Sequence, residues 1–288
     1  MNKVKILVDS VADILIFDDK DGLKKFDISY IPLYVRFDGE LFRDFLEIRP
    51  KKLYEKVEEK GKLPKTSCPS PSDYTFVISK YLDQGYDVVF FSIGQHLSGG
   101  YKACLLGVED LPKDRVFIVD SANLSSGIGI QVIKACKLRD EGKSAKEIYE
   151  YCEANKKKAK CKFVVDTLEY LHKGGRCSSI AALLGTVLQL KPVITVENGA
   201  LSVYQRTIGK RRGLKALLNA FNEDFTNKNV DLDCVLVTHS ENPEETEFLI
   251  NGLVELGVDR NIIHTSEANC TVATHCGPKC IGIIYLTK

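Results

Sequence analysis

The first half of the chain alternates short β-branched runs with longer amphipathic stretches, and this alternation restricts the fold more than any other feature. The runs are KILVD, SYIPLYV, DVVFFSI and RVFIVDS. Helical patterns lie between and after them at 50–60, 72–84, 98–108 and 127–139, with a further helix from Lys146. Strands that alternate with helices pair in parallel. The pattern predicts an α/β fold whose N-terminal domain is a Rossmann-like parallel sheet.

A lysine-rich seam separates this region from a second α/β pattern. Residues 154–160 read ANKKKAK, a solvated charge run that is typical of a domain seam. Further strand and helix patterns follow: KFVVDT, PVITV with a hairpin turn at Asn198-Gly199, a helix from Leu214 to Phe225, CVLVTHS, a helix from Asn242, NIIHTS and IGIIYLT. We therefore expect two α/β domains, 1–158 and 159–288.

Composition excludes several classes of partner. The 288 residues are 44% hydrophobic, and 40 Lys and Arg balance 39 Asp and Glu to a formal charge of +1. Because the charges are so evenly balanced, the protein has no overall electrostatic field that would attract nucleic acid or an anionic membrane. The opening MNKVKILVDS is too short an apolar run for a signal peptide or a membrane span. We expect a cytoplasmic protein with no nucleic-acid partner and no integral membrane contact.

Polar residues stand at the ends of three predicted strands: Asp9-Ser10, Ser92 and Asp120-Ser121. Open α/β sheets bind their ligands at the carboxyl ends of their strands. This edge is the expected location of a binding site, with Ser10 and Ser121 as candidate residues.

The segment TSCPSPSDY, residues 66–74, is a candidate for binding a carboxylate. Its prolines hold the chain extended, which would place the hydroxyls of Thr66 and Ser67 on a rigid loop. The alternative is that these polar residues only close a turn and cap a helix, through Ser70 or Ser72.

The segment SIGQHLSGGYKAC, residues 92–104, predicts a strand end followed by a helix start. A hydroxyl at Ser98 beside Gly99 and Gly100 would let an anion approach backbone N–H groups closely. An ordinary serine N-cap is the alternative.

The segment LEYLHKGGRCSSIAALLGTVLQLKP, residues 168–192, predicts a helix that ends at Gly174-Gly175 and a largely apolar helix from Ile180 to Leu188, capped by Ser178 or Ser179. The turn would direct the guanidinium of Arg176 sideways. An anionic head group with an apolar body suits such a place. A buried structural helix has the same pattern.

His275 precedes Gly277-Pro278 and the last strand, so we expect it at a strand-edge turn, where it could donate to an anion. It also permits an alternative function, a serine hydrolase or acyltransferase using Ser98 and His275, because HLSGG is one residue from the G-x-S-x-G elbow.

A third alternative is a metal or redox site at Cys270, Cys276 and Cys280. The chain has no CxxC pair, however, and the spacing fits no common zinc module. We expect no metal and no cofactor.

Seven segments together resemble the DegV family of bacterial fatty-acid-binding proteins: VDS at 8–10, TSCPSP, HLSGGY, VDS at 119–121, LEYLHKGGR, LKPVI and HCGP. The resemblance runs end to end. It implies a non-catalytic lipid carrier of phospholipid metabolism that encloses one long-chain fatty acid, such as palmitate, stearate or oleate, in a tunnel between its two domains. It also implies a fatty acid kinase as partner, which converts the presented carboxylate to an acyl phosphate.

Carried over to matching positions, the resemblance implies that Thr66 and Ser98, with Gly99, bind the carboxylate. It places His275 nearby and Arg176 close to the mouth. Ser67, Ser10 and Ser121 are additional candidates.

The chain departs from the family pattern at three places. Cys68 stands where glutamine is usual, and Gly100 where threonine is common. An Arg-x-Arg-Lys run is replaced by Arg206 and 210–212.

Overall fold

The computed structural model describes residues 3–13, 26–176 and 190–288. The described strands are β1 Lys3–Asp9, β2 Ile28–Ile31, β3 Tyr34–Phe37, β4 Glu40–Arg43, β5 Lys65–Ser67, β6 Tyr86–Ser92, β7 Val116–Asp120, β8 Ala159–Val164, β9 Val193–Glu197, β10 Ala200–Gln205, β11 Val230–His239, β12 Ile263–Glu267 and β13 Ile281–Thr287. The described α-helices are α1 Pro50–Lys60, α2 Pro71–Asp83, α3 Gly100–Gly107, α4 Ser126–Asp140, α5 Ala145–Asn155, α6 Glu169–Lys173, α7 Lys210–Thr226, α8 Pro243–Glu255 and α9 Cys270–Cys276.

The first sheet has four parallel strands in the order β2-β1-β6-β7. This confirms the predicted parallel α/β sheet of the N-terminal part. Asp9, Ser92 and Asp120 are the last residues of β1, β6 and β7, as predicted. All three side chains are buried at the same edge of the sheet.

The run SYIPLYV forms two strands rather than the single strand predicted. Pro32 follows β2 and has no N–H group to continue a ladder. The chain then enters β3, which belongs to a separate antiparallel sheet in the order β4-β3-β5. In this sheet Val35 pairs with Thr66, so the predicted loop that bears Thr66 is a strand.

The second large sheet has six strands in the order β10-β9-β8-β13-β11-β12. Its neighbours are antiparallel except β11 and β12, which are parallel. The hairpin predicted at Asn198-Gly199 joins β9 to β10. Both turn residues have positive φ, 50° and 78°, the backbone that a two-residue hairpin of this kind requires.

Helix α4 packs between the two large sheets. It contacts β1 and β6 of the first sheet and β8, β11 and β13 of the second. Ten of its fifteen residues are buried, because a helix with a sheet on either side has little surface left for water. One apolar cluster therefore includes Val8 and Phe91 from the first sheet together with Phe163 and Leu236 from the second. The domain boundary at 158/159 stays a prediction.

Helix starts follow the expected capping chemistry. Ser70 and Asp73 form a capping box at α2, and Ser144 and Glu147 form the predicted one at α5. Helix α1 has the predicted bounds. Among the described helices, none has both the length and the apolar composition to cross a bilayer.

The contact between α3 and the start of α2 tests this packing. A Cβ atom at Gly107 would lie 2.2 Å from the carbonyl oxygen of Pro71. We expect Gly107→Ala to lower the free energy of unfolding by about 1–3 kcal/mol, because the two helices must separate. Urea unfolding measures it. Leu106→Ala is the control, because this neighbour is 64% exposed and its loss should change stability by less than about 0.5 kcal/mol. Equal stability of the two variants would contradict the prediction.

Candidate functional site

A cavity of about 240 Å³ is lined by both halves of the chain. Its apolar lining residues are Leu33, Ile93, Leu97, Leu124, Leu171, Leu201 and Val272. Its other lining residues are Thr66, Ser67, Cys68, Ser98, Gly99, Arg176, Thr271, His275 and Cys276. The five principal residues predicted for the site, Thr66, Ser98, Gly99, Arg176 and His275, therefore border the same cavity.

Thr66 and His275, which both line the cavity, are in direct contact with each other. The hydroxyl oxygen of Thr66 lies 2.9 Å from Nε2 of His275, a hydrogen-bond distance between residues 209 positions apart. Thr66 is held by the pairing of β5 with β3, and the capping box at Ser70 fixes the chain that follows. The rigidity expected of this segment thus comes from a strand and a capped helix as well as from prolines.

Ser98 lies in the turn between β6 and α3. Helix α3 begins at Gly100 with Gly99 as its N-cap residue, so Ser98 is not the cap itself. The Ser98 hydroxyl instead accepts a hydrogen bond from the N–H of Gly100 (3.3 Å). Among the described residues, a Cβ atom at Gly99 would meet only the Cys68 sulfur, 3.9 Å away, which places this turn beside the TSCPSP segment.

The Gly-Gly-Arg turn differs from its predicted role at one glycine. Gly175 has φ +69°, but Gly174 has φ −75°, which any residue can adopt. Gly174 is required for a different reason: a Cβ atom there would lie 2.2 Å from Nδ1 of His275. Arg176 is exposed and donates to the carbonyl oxygen of Gly174 (2.6 Å), and it is near enough to His275 for its charge to lower the pKa of the imidazole.

His275 lies in the last turn of helix α9, and the predicted strand-edge turn is wrong. The chain turns only afterwards, at Gly277, where φ is +77°. Burial, and secondly the charge of Arg176, lower the pKa of His275 to about 4. The imidazole is therefore neutral near pH 7. Within the described part of the chain its Nδ1 has no hydrogen-bond partner.

The additional candidates separate into two groups. Ser67 lines the cavity, whereas Ser10 and Ser121 do not. Ser10 donates to Asp44 (3.2 Å) and accepts from the N–H of Leu33 (3.0 Å), and Ser121 bonds the backbone of Asn123. The predicted apolar helix Ile180–Leu188 and its serine cap lie outside the described residues.

The geometry does not favour the two alternative functions. His275 pairs with Thr66, and no described carboxylate orients its Nδ1, whereas a Ser-His hydrolase needs an oriented base on its serine. The pKa of Cys276 is raised, first by its hydrogen bond with Cys280 and then by burial, although metal ligation requires thiolates. In the ranges 3–13, 26–176 and 190–288, no His, Cys, Asp and Glu side chains group as a metal site would require.

Sequence reasoning singled out one of the buried acids that support the cavity, Asp9, without its supporting role, and it missed Asp44. Asp9 accepts the N–H of Ile93 (2.8 Å) and the hydroxyls of Ser92 and Tyr74, and burial raises its pKa to about 6. Asp9 had a signal, its place at a strand end. Asp44 has a comparable role at α9, but it stands in the unremarkable run FRDFL.

The fold and the cavity define a class: mixed α/β proteins that enclose an apolar-walled cavity bordered by hydroxyl, imidazole and guanidinium groups. The chain belongs to the DegV family, since the family model described as "Uncharacterised protein, DegV family" matches residues 3–288. This confirms the resemblance drawn from the seven segments.

Curated relatives and solved structures agree with this membership. A DegV domain-containing protein of Clostridium acetobutylicum is 30% identical over 100% of both chains. A protein of Thermotoga maritima named fatty acid-binding protein is 32% identical over 97% of this chain and 96% of its own.

Two solved structures share the fold over the whole chain. One describes fatty acid binding of a DegV family protein from Thermus thermophilus (28% identity, TM-score 0.90, 100% of both chains). The other is a stearic acid-binding protein from Eubacterium ventriosum (27% identity, TM-score 0.87, 100% of this chain and 99% of that one). Both of these relatives are thus described as binding fatty acids.

The contact between Gly174 and His275 yields a prediction. We expect Gly174→Ala to displace the imidazole and raise the pKa of His275 from about 4 towards its ordinary 6.5, because the added methyl occupies the place of Nδ1. Ring signals followed by NMR against pH measure this change. Gly175→Ala is the matched control: it strains a left-handed residue, but its Cβ atom would meet no atom of the described residues within 4 Å. A pKa near 4 in both variants would show that this contact does not hold the ring.

Proposed function

We propose that this protein binds one long-chain fatty acid, such as palmitate, stearate or oleate, in the cavity and presents its carboxylate to a fatty acid kinase. The observation that carries the proposal is the cavity itself, which combines apolar walls with a cluster of hydrogen-bond donors. Thr66, Ser98 and Gly99 would bind the carboxylate, with His275 behind Thr66 and Arg176 at the mouth. The fatty acids bound by relatives in this family support the ligand class.

The neutral state of His275 supports a specific arrangement of protons at Thr66. A neutral imidazole protonated at Nε2 donates to the Thr66 oxygen, which leaves the hydroxyl proton free for a carboxylate oxygen. The negative charge is then compensated by Arg176 and by hydroxyl and backbone donors. A buried carboxylate without such donors would be strongly penalised.

Tail burial supports the affinity. At about 0.8 kcal/mol per methylene, roughly fifteen buried methylenes would contribute on the order of 12 kcal/mol before the costs of ordering and immobilisation. Apolar side chains from both halves line the cavity, which supports a tunnel between domains 1–158 and 159–288.

The proposed kinase step also indicates the role of the carrier in the cell. A carboxylate must reach an ATP-dependent enzyme to become an acyl phosphate, which supports a cytoplasmic carrier in phospholipid metabolism. Mixed with a fatty acid kinase catalytic subunit and ATP, the loaded protein should yield an acyl phosphate that hydroxylamine traps as a hydroxamate. The same mixture without this protein is the control, and equal yields would reject the presentation role.

Native mass spectrometry of the protein purified from cells tests ligand binding. We expect an added mass of one fatty acid, which lipid extraction removes and added palmitate or oleate restores. A chain that arrives empty and takes up neither fatty acid would reject the proposal. A fluorophosphonate probe provides a second arm, because covalent labelling at Ser98 would support the hydrolase instead.

Ser98→Ala tests the head-group contact. Loss of the hydroxyl should leave a carboxylate oxygen underpaired by about 1–3 kcal/mol, or roughly 5- to 150-fold in Kd, in a fluorescent fatty-acid displacement assay. Ser121→Ala is the matched control, since its hydroxyl bonds the backbone of Asn123 and does not line the cavity. Wild-type affinity in Ser98→Ala would remove Ser98 from the site.

A further inference from the structure

Two buried carboxylates from the N-terminal part of the chain hold the first turn of helix α9. Asp44 accepts hydrogen bonds from the backbone N–H groups of Cys270 (2.9 Å) and Thr271 (3.1 Å). Asp13 accepts one from the N–H of Asn269 (3.0 Å). Both acids are fully buried. Three consecutive N–H groups at the start of α9 are therefore satisfied by side chains that lie 226 to 256 positions earlier.

The position of His275 depends on this anchoring. Helix α9 has only seven residues, too few to be stable without tertiary contacts. His275 lies five residues beyond Cys270, about 7.5 Å along the helix axis. Its partner Thr66 belongs to the small sheet. A shift of the first turn of α9 would therefore separate His275 from Thr66.

The donors around Asp44 demand a group that only accepts. One oxygen faces the N–H of Cys270, and the other faces the N–H of Thr271 and the hydroxyl of Ser10. A backbone N–H cannot reverse its direction. The Ser10 oxygen already accepts from the N–H of Leu33, so its own proton points to Asp44. If an amide NH₂ replaced the second oxygen, this donor would face another donor, the N–H of Thr271.

Asp13 has reversible neighbours instead. Its second oxygen faces the hydroxyls of Ser125 and Ser126. The Ser126 hydroxyl is hydrogen-bonded to that of Ser266 (2.6 Å), which is hydrogen-bonded to that of Thr238 (2.8 Å), so these side chains form a row of hydroxyls. Hydroxyls can donate or accept, so this row can reverse when the group at Asp13 becomes a donor. The two acids thus differ in their tolerance of a proton or an amide.

We propose that Asp44 is a positioning residue for the head-group end of the cavity, because its carboxylate aligns α9 so that His275 reaches Thr66. Asp13 supports the same helix but tolerates replacement by a neutral donor. The consequence for ligand affinity rests on the proposed function. The alignment of His275 with Thr66 does not, because it can be measured without ligand.

The pKa values of both acids are raised chiefly by burial, that of Asp13 to about 7. The groups that act on Asp13 are Ser125, Asn269 and Ser126, whose hydrogen bonds lower its pKa, and Asp44, whose charge raises it. Protonated Asp13 is therefore accessible near neutral pH, where the hydroxyl row accommodates its proton.

Asp44→Asn and Asp13→Asn, assayed in the full chain, test the proposal. In Asp44→Asn we expect the pKa of His275, followed by NMR, to rise from about 4 towards 6.5, and palmitate or oleate to bind about tenfold more weakly. In Asp13→Asn we expect a His275 pKa near 4 and less than about a threefold change in affinity. Asp224→Asn controls for general loss of stability, because its single amide oxygen cannot replace both carboxylate oxygens, which accept from Tyr285 (2.8 Å) and from Asn229 (3.0 Å) in the second half of the chain.

Two results would overturn the proposal: a His275 pKa near 4 in Asp44→Asn, or equal effects of Asp44→Asn and Asp13→Asn. If Asp44→Asn does not fold, Ser10→Ala replaces it, because that change keeps the carboxylate and removes the hydroxyl that donates to it, which is also the acceptor of the Leu33 N–H. A smaller rise of the His275 pKa supports the proposal, and none opposes it. If the wild type binds no fatty acid, the proposed function fails, and the His275 pKa in the variants alone decides whether Asp44 positions His275.

The pH dependence of unfolding tests the tolerance of Asp13 separately. Its pKa is raised from 3.8 in the unfolded chain to about 7 in the fold, so the native state binds more protons between these values. The stabilisation present below about pH 4 is lost as the pH rises through 7. Asp13→Asn should therefore gain stability relative to the wild type between pH 5 and pH 8 in urea unfolding. A constant difference would contradict the tolerance assigned to Asp13.

Discussion

Helix α9 cannot hold its own position, and the candidate site depends on what holds it. A seven-residue helix has unsatisfied N–H groups in its first turn, and burial makes each of them costly unless an acceptor is present. Asp13 and Asp44 supply those acceptors from the N-terminal part of the chain. The close approach of Gly174 limits the other end of the helix, where His275 lies. The hydrogen bond between His275 and Thr66 therefore results from packing on several sides.

The chemistry of the cavity follows from its low polarity. Burial keeps His275 neutral and raises the pKa of Cys68. Among the described residues that line the cavity, Arg176 is therefore the one that carries a positive charge. Hydroxyl groups and a neutral imidazole can donate to a carboxylate without adding charge to the interior. Such a site suits a ligand with one anionic group and a long apolar body, which is the ligand class of the family's fatty-acid-binding members.

Much of the architecture could be predicted from local pattern. The final strand, helix α1 and the capping box at Ser144 were predicted at their observed positions, because strand periodicity and caps are short-range properties. The place of His275 was not. Seven helical residues before a Gly-Pro turn carry too little periodicity to distinguish a helix from a turn. The role of Gly174 was also missed, since a close approach depends on a residue about one hundred positions away.

The sequence by itself determined the alternation of strands and helices, the polar residues at the strand ends and the hydroxyl, glycine and arginine segments that mark the family. These are local properties of composition and spacing. Only the tertiary structure decided that Thr66 pairs with His275, that Ser10 supports Asp44 instead of lining the cavity, and that α4 lies between two sheets. The reason is that burial and hydrogen-bond partners depend on which distant segments meet.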